Sequence, residues 1–236
     1  MLHLARVFYQ PTEYESEPPA YWKGKTVVVI DVLRATSTLV TALGSGYAEA
    51  RCFREVAAAR SYAADHPGAV LAGEREGLPP EGFEKGNSPG EFVQAPVAGT
   101  ALALTTTNGT RALESVRGAE RILVGSFLNL HVVADFLQKA GAVFEVVCSG
   151  TGDAFALEDA LVAGALAELL HLEHAVAALY RSCAGSLGEA FRASRNGRRL
   201  KALGLDGDLD WCLQRDRFPV LPMLGRDGVI RPTKPS

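Results

Sequence analysis

The sequence predicts an α/β protein in three layers, α/β/α, around a mainly parallel sheet, built from two similar halves. Three observations carry this. First, Val27–Ile30 is an unbroken run of β-branched residues, the pattern of a strand buried on both faces. Second, strand and helix patterns alternate along the chain, which calls for parallel strands with helices on both sides of the sheet. Third, the alternation restarts. Ile30 and Leu104 close corresponding strands 74 positions apart, and each is followed by sequence rich in Thr, Ser or Arg. That spacing is too long for a solenoid repeat and suits a duplicated half-domain, with residues 1–98 and 99–236 as the halves. Residue identity between them is low, so the duplication is one of pattern.

The 236 residues suffice for one large domain or two small ones. An apolar content of 47% marks a globular chain. A net charge of −3 lacks the basic excess of nucleic-acid binders. Cys52, Cys148, Cys183 and Cys212 are scattered without CxxC spacing, against a disulfide framework or structural zinc. The N-terminus has no charged-then-apolar leader, and no apolar run is long enough to span a bilayer. The expectation is a soluble, cytoplasmic protein with no nucleic-acid or membrane partner; a homo-oligomer is left open.

Taken in order, Leu2–Tyr9 reads as a strand and Pro11–Trp22, with three prolines, as a loop. The Val27–Ile30 strand stops at Asp31, and Thr36, Ser37 and Thr38 open a helix with Leu39, Val40 and Leu43 on one side. Tyr47–Phe53 is a strand, Glu55–Asp65 an Ala-rich helix, and Ala69–Ala72 a strand ending at Gly73-Glu74-Arg75. Glu74–Pro89 is long, rich in Gly and Pro and without apolar period, which marks a functional loop. Ser88 is placed to cap a short helix, Pro89–Gln94. The second run has a strand at Thr100–Leu104, a helix through Val116, a strand at Arg121–Val124, a helix at Asn129–Lys139 capped by Asn129, and a strand at Ala142–Cys148. Leu157–Leu170, His174–Cys183, Leu187–Leu203 and Leu209–Gln214 read as further helices; Phe218–Leu224 and Gly228–Ile230 read as short strands. The basic cluster Arg192, Arg195, Arg198, Arg199 and Lys201 reads as a solvated helix face.

Four polar clusters follow strand ends and so share the sheet edge where open α/β sheets bind ligands. They are Asp31/Arg34/Thr36–Thr38, Glu74/Arg75, Thr105–Arg111, and Ser149–Asp153 leading to Glu158 and Asp159. Carboxylates with water and a phosphate oxygen are what Mg²⁺ takes as ligands. Arginine forks suit phosphate, sulfonate or carboxylate, and hydroxyls at helix starts suit an anion. Together the clusters imply metal-assisted chemistry on a small, multiply anionic substrate. Each alone is equally well explained as helix capping, and Glu158 and Asp159 as acids favoured by a helix dipole.

Common phosphoryl-transfer signatures are missing. There is no GxxxxGK[ST] loop. Leu33 stands where a haloacid dehalogenase phosphatase would carry the partner acid of Asp31, and Ala154 where a tyrosine phosphatase would pair an Arg with Cys148. No Arg-His-Gly occurs, and His171 and His174 lack the HExxH pattern, so they read as surface or interface residues. Cys148 reads as a small buried strand residue.

The stretches VVVIDVLRATSTLVTAL, AGEREGLPPEGFEKGNSP, ALTTTNGTRAL and CSGTGDAFALEDALVAG, in this order over roughly residues 26–165, resemble the motif series of the 2-phosphosulfolactate phosphatase family. The resemblance implies a Mg²⁺-dependent phosphatase with an α/β/α fold of its own, hydrolysing (2R)-phospho-3-sulfolactate to 3-sulfolactate and phosphate, a step towards coenzyme M. It places Asp31, Arg34, Glu74, Asn87, Asn108, Arg111, Glu158 and Asp159 at motif positions. One departure is Glu76, where the resemblance implies a glycine after Arg75. Asp31, Arg34, Glu74, Asn108 and Arg111 are expected to be catalytic. Thr36, Ser37, Thr38, Asn87, Thr106, Thr107, Thr110 and Ser149 are expected to bind the phosphorylated substrate. Asp31, Glu74, Glu158 and Asp159 are expected to hold the metal. Because Leu33 removes the usual partner acid, attack by an activated water is favoured over a covalent aspartyl-phosphate. Two alternatives stay open: a phosphatase or lyase for another phospho-carboxylate, and a module that only binds an anionic metabolite. Converging carboxylates weigh against the second, since they repel an anion unless a cation bridges.

Overall fold

The computed structural model describes residues 2–233. In chain order the regular elements are β1 (His3–Phe8), α1 (Pro11–Tyr14), β2 (Thr26–Ile30), α2 (Ala35–Gly44), β3 (Glu49–Phe53), α3 (Val56–Asp65) and β4 (Val70–Gly73). The second run is β5 (Ala101–Thr105), α4 (Asn108–Ser115), β6 (Arg121–Gly125), α5 (Leu130–Ala140) and β7 (Val143–Cys148). Helices α6 (Leu157–Leu169), α7 (Ala175–Cys183), α8 (Leu187–Ala193), α9 (Arg195–Ala202) and α10 (Gly207–Cys212) follow, then β8 (Leu221–Leu224) and β9 (Val229–Thr233).

β2 explains why its sequence has no polar alternation. Val28 and Ile30 enter one core, with α5 and α6. Val27 and Val29 enter another, with α2 and α4. Both faces of the strand are covered by helices, so a polar residue at any of the four positions would be buried without water. A smaller core under α3 joins Ala59, Leu71 and Ala103.

The strands form one nine-stranded sheet in the order β1-β7-β2-β6-β8-β9-β3-β5-β4. Pairings are parallel on either side of β2 and of β5, and antiparallel only around the β8–β9 hairpin. The expectation of a mostly parallel sheet holds; the hairpin makes it mixed. The two runs exchange their first strands: β2 lies between β6 and β7, and β5 lies between β3 and β4.

Three antiparallel steps from β6 through the hairpin to β3 reverse the strand direction along the ladder. Yet residues following β2, β4, β5 and β7 line one cavity. Both parts of the sheet pack against one helix, α2, which brings their strand ends to the same space. Consistently, every residue of α2 from Ala35 to Leu43 is buried, and its core is shared by β2 on one side and β5 on the other.

Several local expectations change. Pro11–Trp22 is not irregular throughout: it holds α1 and a 3₁₀ turn at Pro19–Trp22. Asn129 does not cap α5 with its side chain. Ser126 caps the 3₁₀ turn before it, and the buried Asn129 amide ties Val124 O and Val220 O while Oδ1 receives Ser126 N–H. The Leu187–Leu203 helix breaks at Ser194, whose extended backbone ends α8 and whose hydroxyl receives Gly197 N–H to start α9. His174 is the N-cap of α7, its ring nitrogen accepting Val176 N–H.

The two runs also pack tightly where α4 begins against α2. A Cβ on Gly109 would stand 2.6 Å from Ala35 Cβ and 2.9 Å from Asp31 Oδ2. Only glycine allows this approach. Gly109→Ala is expected to destabilise the fold by about 1–3 kcal/mol through overpacking, read as a lower urea midpoint at unchanged slope. An unchanged midpoint would mean that the helices separate freely.

Candidate active site

The turns after the strand ends line a cavity of ≈ 290 Å³. Asp31, Arg34, Glu74, Asn87, Thr106, Thr107 and Asn108, all expected at the site, line it. Asp31 and Thr107, from different halves, therefore face the same space.

Asp31 is buried where β2 meets the turn into α2. Its backbone N–H donates to Thr36 Oγ1 at 3.1 Å, and its Oδ1 receives a long 3.4 Å bond from Ala35 N–H. Burial first, then the charges of Glu74 and Glu158, push its carboxyl from the usual 3.8 up to about 7. Asp159 is raised well above the carboxylate range by burial and by Asp31 and Glu158. Glu158 is raised by burial. The first two residues of α6 with their own charges thus do more than stabilise a helix dipole: they form one buried acidic group with Asp31.

The acids differ in what occupies their oxygens. Asp159 is a clamp: Oδ1 receives Val32 N–H at 2.9 Å, and Oδ2 receives the Ser149 hydroxyl at 3.1 Å and Gly150 N–H at 3.2 Å. It fastens the ends of β2 and β7 together. Glu74 is a second clamp. Its Oε1 receives the N–H and hydroxyl of Thr107, both at 2.9 Å, and its Oε2 receives Gly77 N–H at 2.8 Å. Glu158 keeps one oxygen free. Its Oε1 receives Asn196 Nδ2 at 2.7 Å, while Oε2 is buried without a partner. Asn87 likewise has a buried, unpartnered Oδ1. Buried acceptors left unpaired are costly, and a cation or a ligand donor removes the cost.

Among the described residues no three His, Cys, Asp or Glu side chains stand together as a ready metal cluster. Mg²⁺ does not demand one, since it keeps waters and uses one or two carboxylates with substrate oxygens. The all-oxygen set of Asp31, Glu158 and the orphaned acceptors fits that chemistry. Glu74 and Asp159, expected as ligands, are engaged by backbone donors.

The expected hydroxyl cradle is mostly spent on structure. Thr36 Oγ1 accepts Asp31 N–H, Ser37 Oγ donates to Val32 O, and Thr38 Oγ1 donates to Asn87 O. Thr106 and Thr110 bond each other at 3.0 Å. Asn108 Oδ1 receives Gly152 N–H at 3.2 Å. These groups shape the turns and hold the loop over the cavity. Ser88 caps no helix with its side chain; its hydroxyl donates to Asp208 at 2.8 Å.

The arginines are redistributed. Arg34 Nη1 lies 2.6 Å from Asp208 Oδ2 and 3.0 Å from Ser88 Oγ, and Nη2 donates to Gly77 O at 2.8 Å. It is a buried, charge-balanced strut joining α2, the Glu74–Pro89 loop and α10. Arg111 is not among the cavity-lining residues. Glu15 takes its Nε at 2.6 Å and Asp153 its Nη1 at 2.8 Å, which holds it at the rim. Besides Arg34, Arg195 and Arg199 line the cavity with Asn196 between them. They stand four residues apart on α9, hence on one face. The basic cluster is therefore only partly a solvated face. A signal was available: Arg195-Asn196 and Arg199 repeat at helical spacing. What the sequence concealed was the break at Ser194 that aims this helix at the cavity.

The family described as 2-phosphosulpholactate phosphatase matches residues 12–227. The chain belongs to this family. A relative from Caldanaerobacter subterraneus subsp. tengcongensis, named "Probable 2-phosphosulfolactate phosphatase", is 39% identical over 220 residues, covering 89% of this chain and 91% of the relative. Relatives with the same name are 37% identical in Thermotoga maritima, covering 85% of this chain and 89% of the relative, and 39% identical in Deinococcus radiodurans, covering 84% and 86%. As a member of the 2-phosphosulpholactate phosphatase family the protein is a hydrolase, and all four strand-end clusters and α9 lie inside the matched range. No helix among the described residues is long and apolar enough to cross a membrane.

The acidic group gives this family member a pH signature. A carboxyl whose pKa is raised on folding stabilises the fold while protonated, and that contribution is lost as pH rises through the folded value. For Asp31 the window runs from 3.8 to about 7. In EDTA, thermal stability is expected to fall across this window, and Asp31→Asn is expected to flatten the fall and raise Tm at about pH 8. A lower Tm for Asp31→Asn at that pH would show that the ionised carboxylate is not strained.

Proposed function

We propose that the protein is a Mg²⁺-dependent phosphatase hydrolysing a small phosphorylated acid, with (2R)-phospho-3-sulfolactate, giving 3-sulfolactate and phosphate, as the favoured substrate. One observation carries this reading: Asp31, whose carboxyl feels the charge of the buried Glu158 behind it, and Asn87 with its unpartnered Oδ1 line a small cavity with Arg195 and Arg199, which have no carboxylate partner among the described residues. The acids fit a cation, and the arginines fit the anionic groups of the substrate. The names of the relatives support the substrate, since each is called a 2-phosphosulfolactate phosphatase.

In this reading Asp31 and Glu158 would hold Mg²⁺, assisted by Asn87 Oδ1, and the bound ion would supply Lewis-acid chemistry to the phosphoryl group and an activated water. The chain's own residues do the rest. Arg195 and Arg199 receive the acidic end of the substrate and orient it. Asn196 links α9 to Glu158, so the groups that grip the substrate and the acid that holds the cation move as one unit. Asp159 and Glu74 fix the turns, and Arg34 sets the height of the loop carrying Asn87. Arg111 holds the Gly152–Asp153 turn at the rim. Attack by an activated water remains favoured over an aspartyl-phosphate, because no second acid stands two residues from Asp31. The shared element order and reciprocal strand exchange support the duplicated origin of residues 1–98 and 99–236.

The test is phosphate release from a panel of phospho-sulfonates and phospho-carboxylates, in Mg²⁺ and in EDTA. Release in Mg²⁺ that EDTA abolishes is expected, greatest for phosphosulfolactate. Arg199→Ala is expected to raise KM by about tenfold or more with a smaller change in kcat, as loss of a charge-assisted contact does. Equal turnover in EDTA, or an Arg199→Ala enzyme with wild-type KM, contradicts the assignment.

A further inference from the structure

Arg75–Leu78 forms the tip of the active-site loop. Arg75 N–H donates to Leu78 O at 2.9 Å, and Leu78 N–H to Arg75 O at 3.1 Å. The two residues between them make a hairpin turn, and both are left-handed: Glu76 at φ 56° and Gly77 at φ 89°. Positive φ at both central positions is the type I′ pattern, which favours Asn, Asp or Gly first and Gly second. Gly77 meets the rule and Glu76 breaks it. A glutamate there carries Cβ strain on the order of 1 kcal/mol. The surroundings impose the conformation: Glu74 binds Gly77 N–H, and Arg34 binds Gly77 O.

The strained residue also lines the cavity, together with Arg195 and Arg199. Among the described residues its carboxylate forms no ion pair and no side-chain hydrogen bond. It therefore contributes nothing to the turn that its strain would offset. What it does contribute is a negative charge at the mouth of a site that receives anions. Such a charge opposes entry of an anionic group in proportion to that group's charge.

We propose that Glu76 is a specificity-determining residue, a charge filter that moderates the pull of Arg195 and Arg199 and disfavours substrates with highly anionic tails. The inference rests on the phosphatase reading for its substrates but not for its charge effect. Substrates with one acidic tail group, or with an ammonium beside it, lose least; those with two acidic groups lose most.

The experiment compares wild type, Glu76→Gln and Glu76→Gly on three phosphate esters: phosphosulfolactate, phosphoglycolate and phosphoethanolamine. Glu76→Gln is expected to raise kcat/KM by about three- to fivefold for the first, less for the second, and to lower it for the third. The differences are expected to shrink at about 0.5 M salt, where an exposed charge is screened. Glu76→Gly is expected to show the same order and also a higher Tm, from release of the backbone strain. A uniform change across the three esters, or one indifferent to salt, overturns the filter; a lower Tm for Glu76→Gly overturns the strain. If wild type cleaves none of the three, the phosphatase reading fails. The filter is then decided by the Kd of phosphosulfolactate alone, which Glu76→Gln must still lower.

Discussion

Burying like charges together is the constraint on which this molecule turns. Asp31 comes from the end of β2, Glu158 and Asp159 from the start of α6, and all three carboxyls are buried. In water such groups ionise independently; here each ionisation raises the cost of the next. The structure offsets part of that cost with donors. Val32 N–H, Gly150 N–H and the Ser149 hydroxyl serve Asp159, and Asn196 serves Glu158. It leaves Glu158 Oε2 unserved. Acids held in place with some of their partners withheld fit the cation of the proposed reading. The same donors fasten β2 to β7 and α9 to α6, so the electrostatic arrangement and the tertiary fastening are one set of bonds.

The fold was legible where a single strand or helix decides its own surroundings. Val27–Ile30 announced a strand covered on both faces because any polar residue there is prohibited, and the structure sends its alternate side chains into two cores. Strand–helix alternation announced the mostly parallel pairing. What stayed hidden depends on partners far away in sequence. Nothing in β2 or β5 says that each will insert between the second and third strands of the other run. The β8–β9 hairpin turns the sheet mixed through short antiparallel pairings whose sequence, LPML and VIRPT, carries a proline and little period.

At the site, residue types were legible and their duties were not. Asp31, Glu74, Asn87, Thr106, Thr107 and Asn108 do meet in one cavity. But an acid that holds a cation and an acid that clamps a turn look alike in sequence, because the difference lies in whether backbone N–H groups point at its oxygens. The oxygens of Glu74 and Asp159 receive such groups. Arg34 has a buried carboxylate, Asp208, waiting 174 positions away, and Arg111 has Glu15 and Asp153. The cavity arginines without a carboxylate partner, Arg195 and Arg199, sat in a basic run whose ordinary meaning is a wet helix face. Their place at the cavity follows from the break at Ser194, where an extended backbone redirects the helix.

The central claim, that the buried acids are held for a divalent cation, has a direct measure in protons. Mg²⁺ is titrated calorimetrically into metal-free protein at about pH 6.5 in two buffers of different ionisation enthalpy, which counts the protons released on binding. Because Asp31 is raised by burial and by the charges of Glu74 and Glu158, the account predicts release of about one proton per ion bound, and loss of that release in Asp31→Asn. Binding of Mg²⁺ with no proton released, or with the same release from Asp31→Asn, would contradict it.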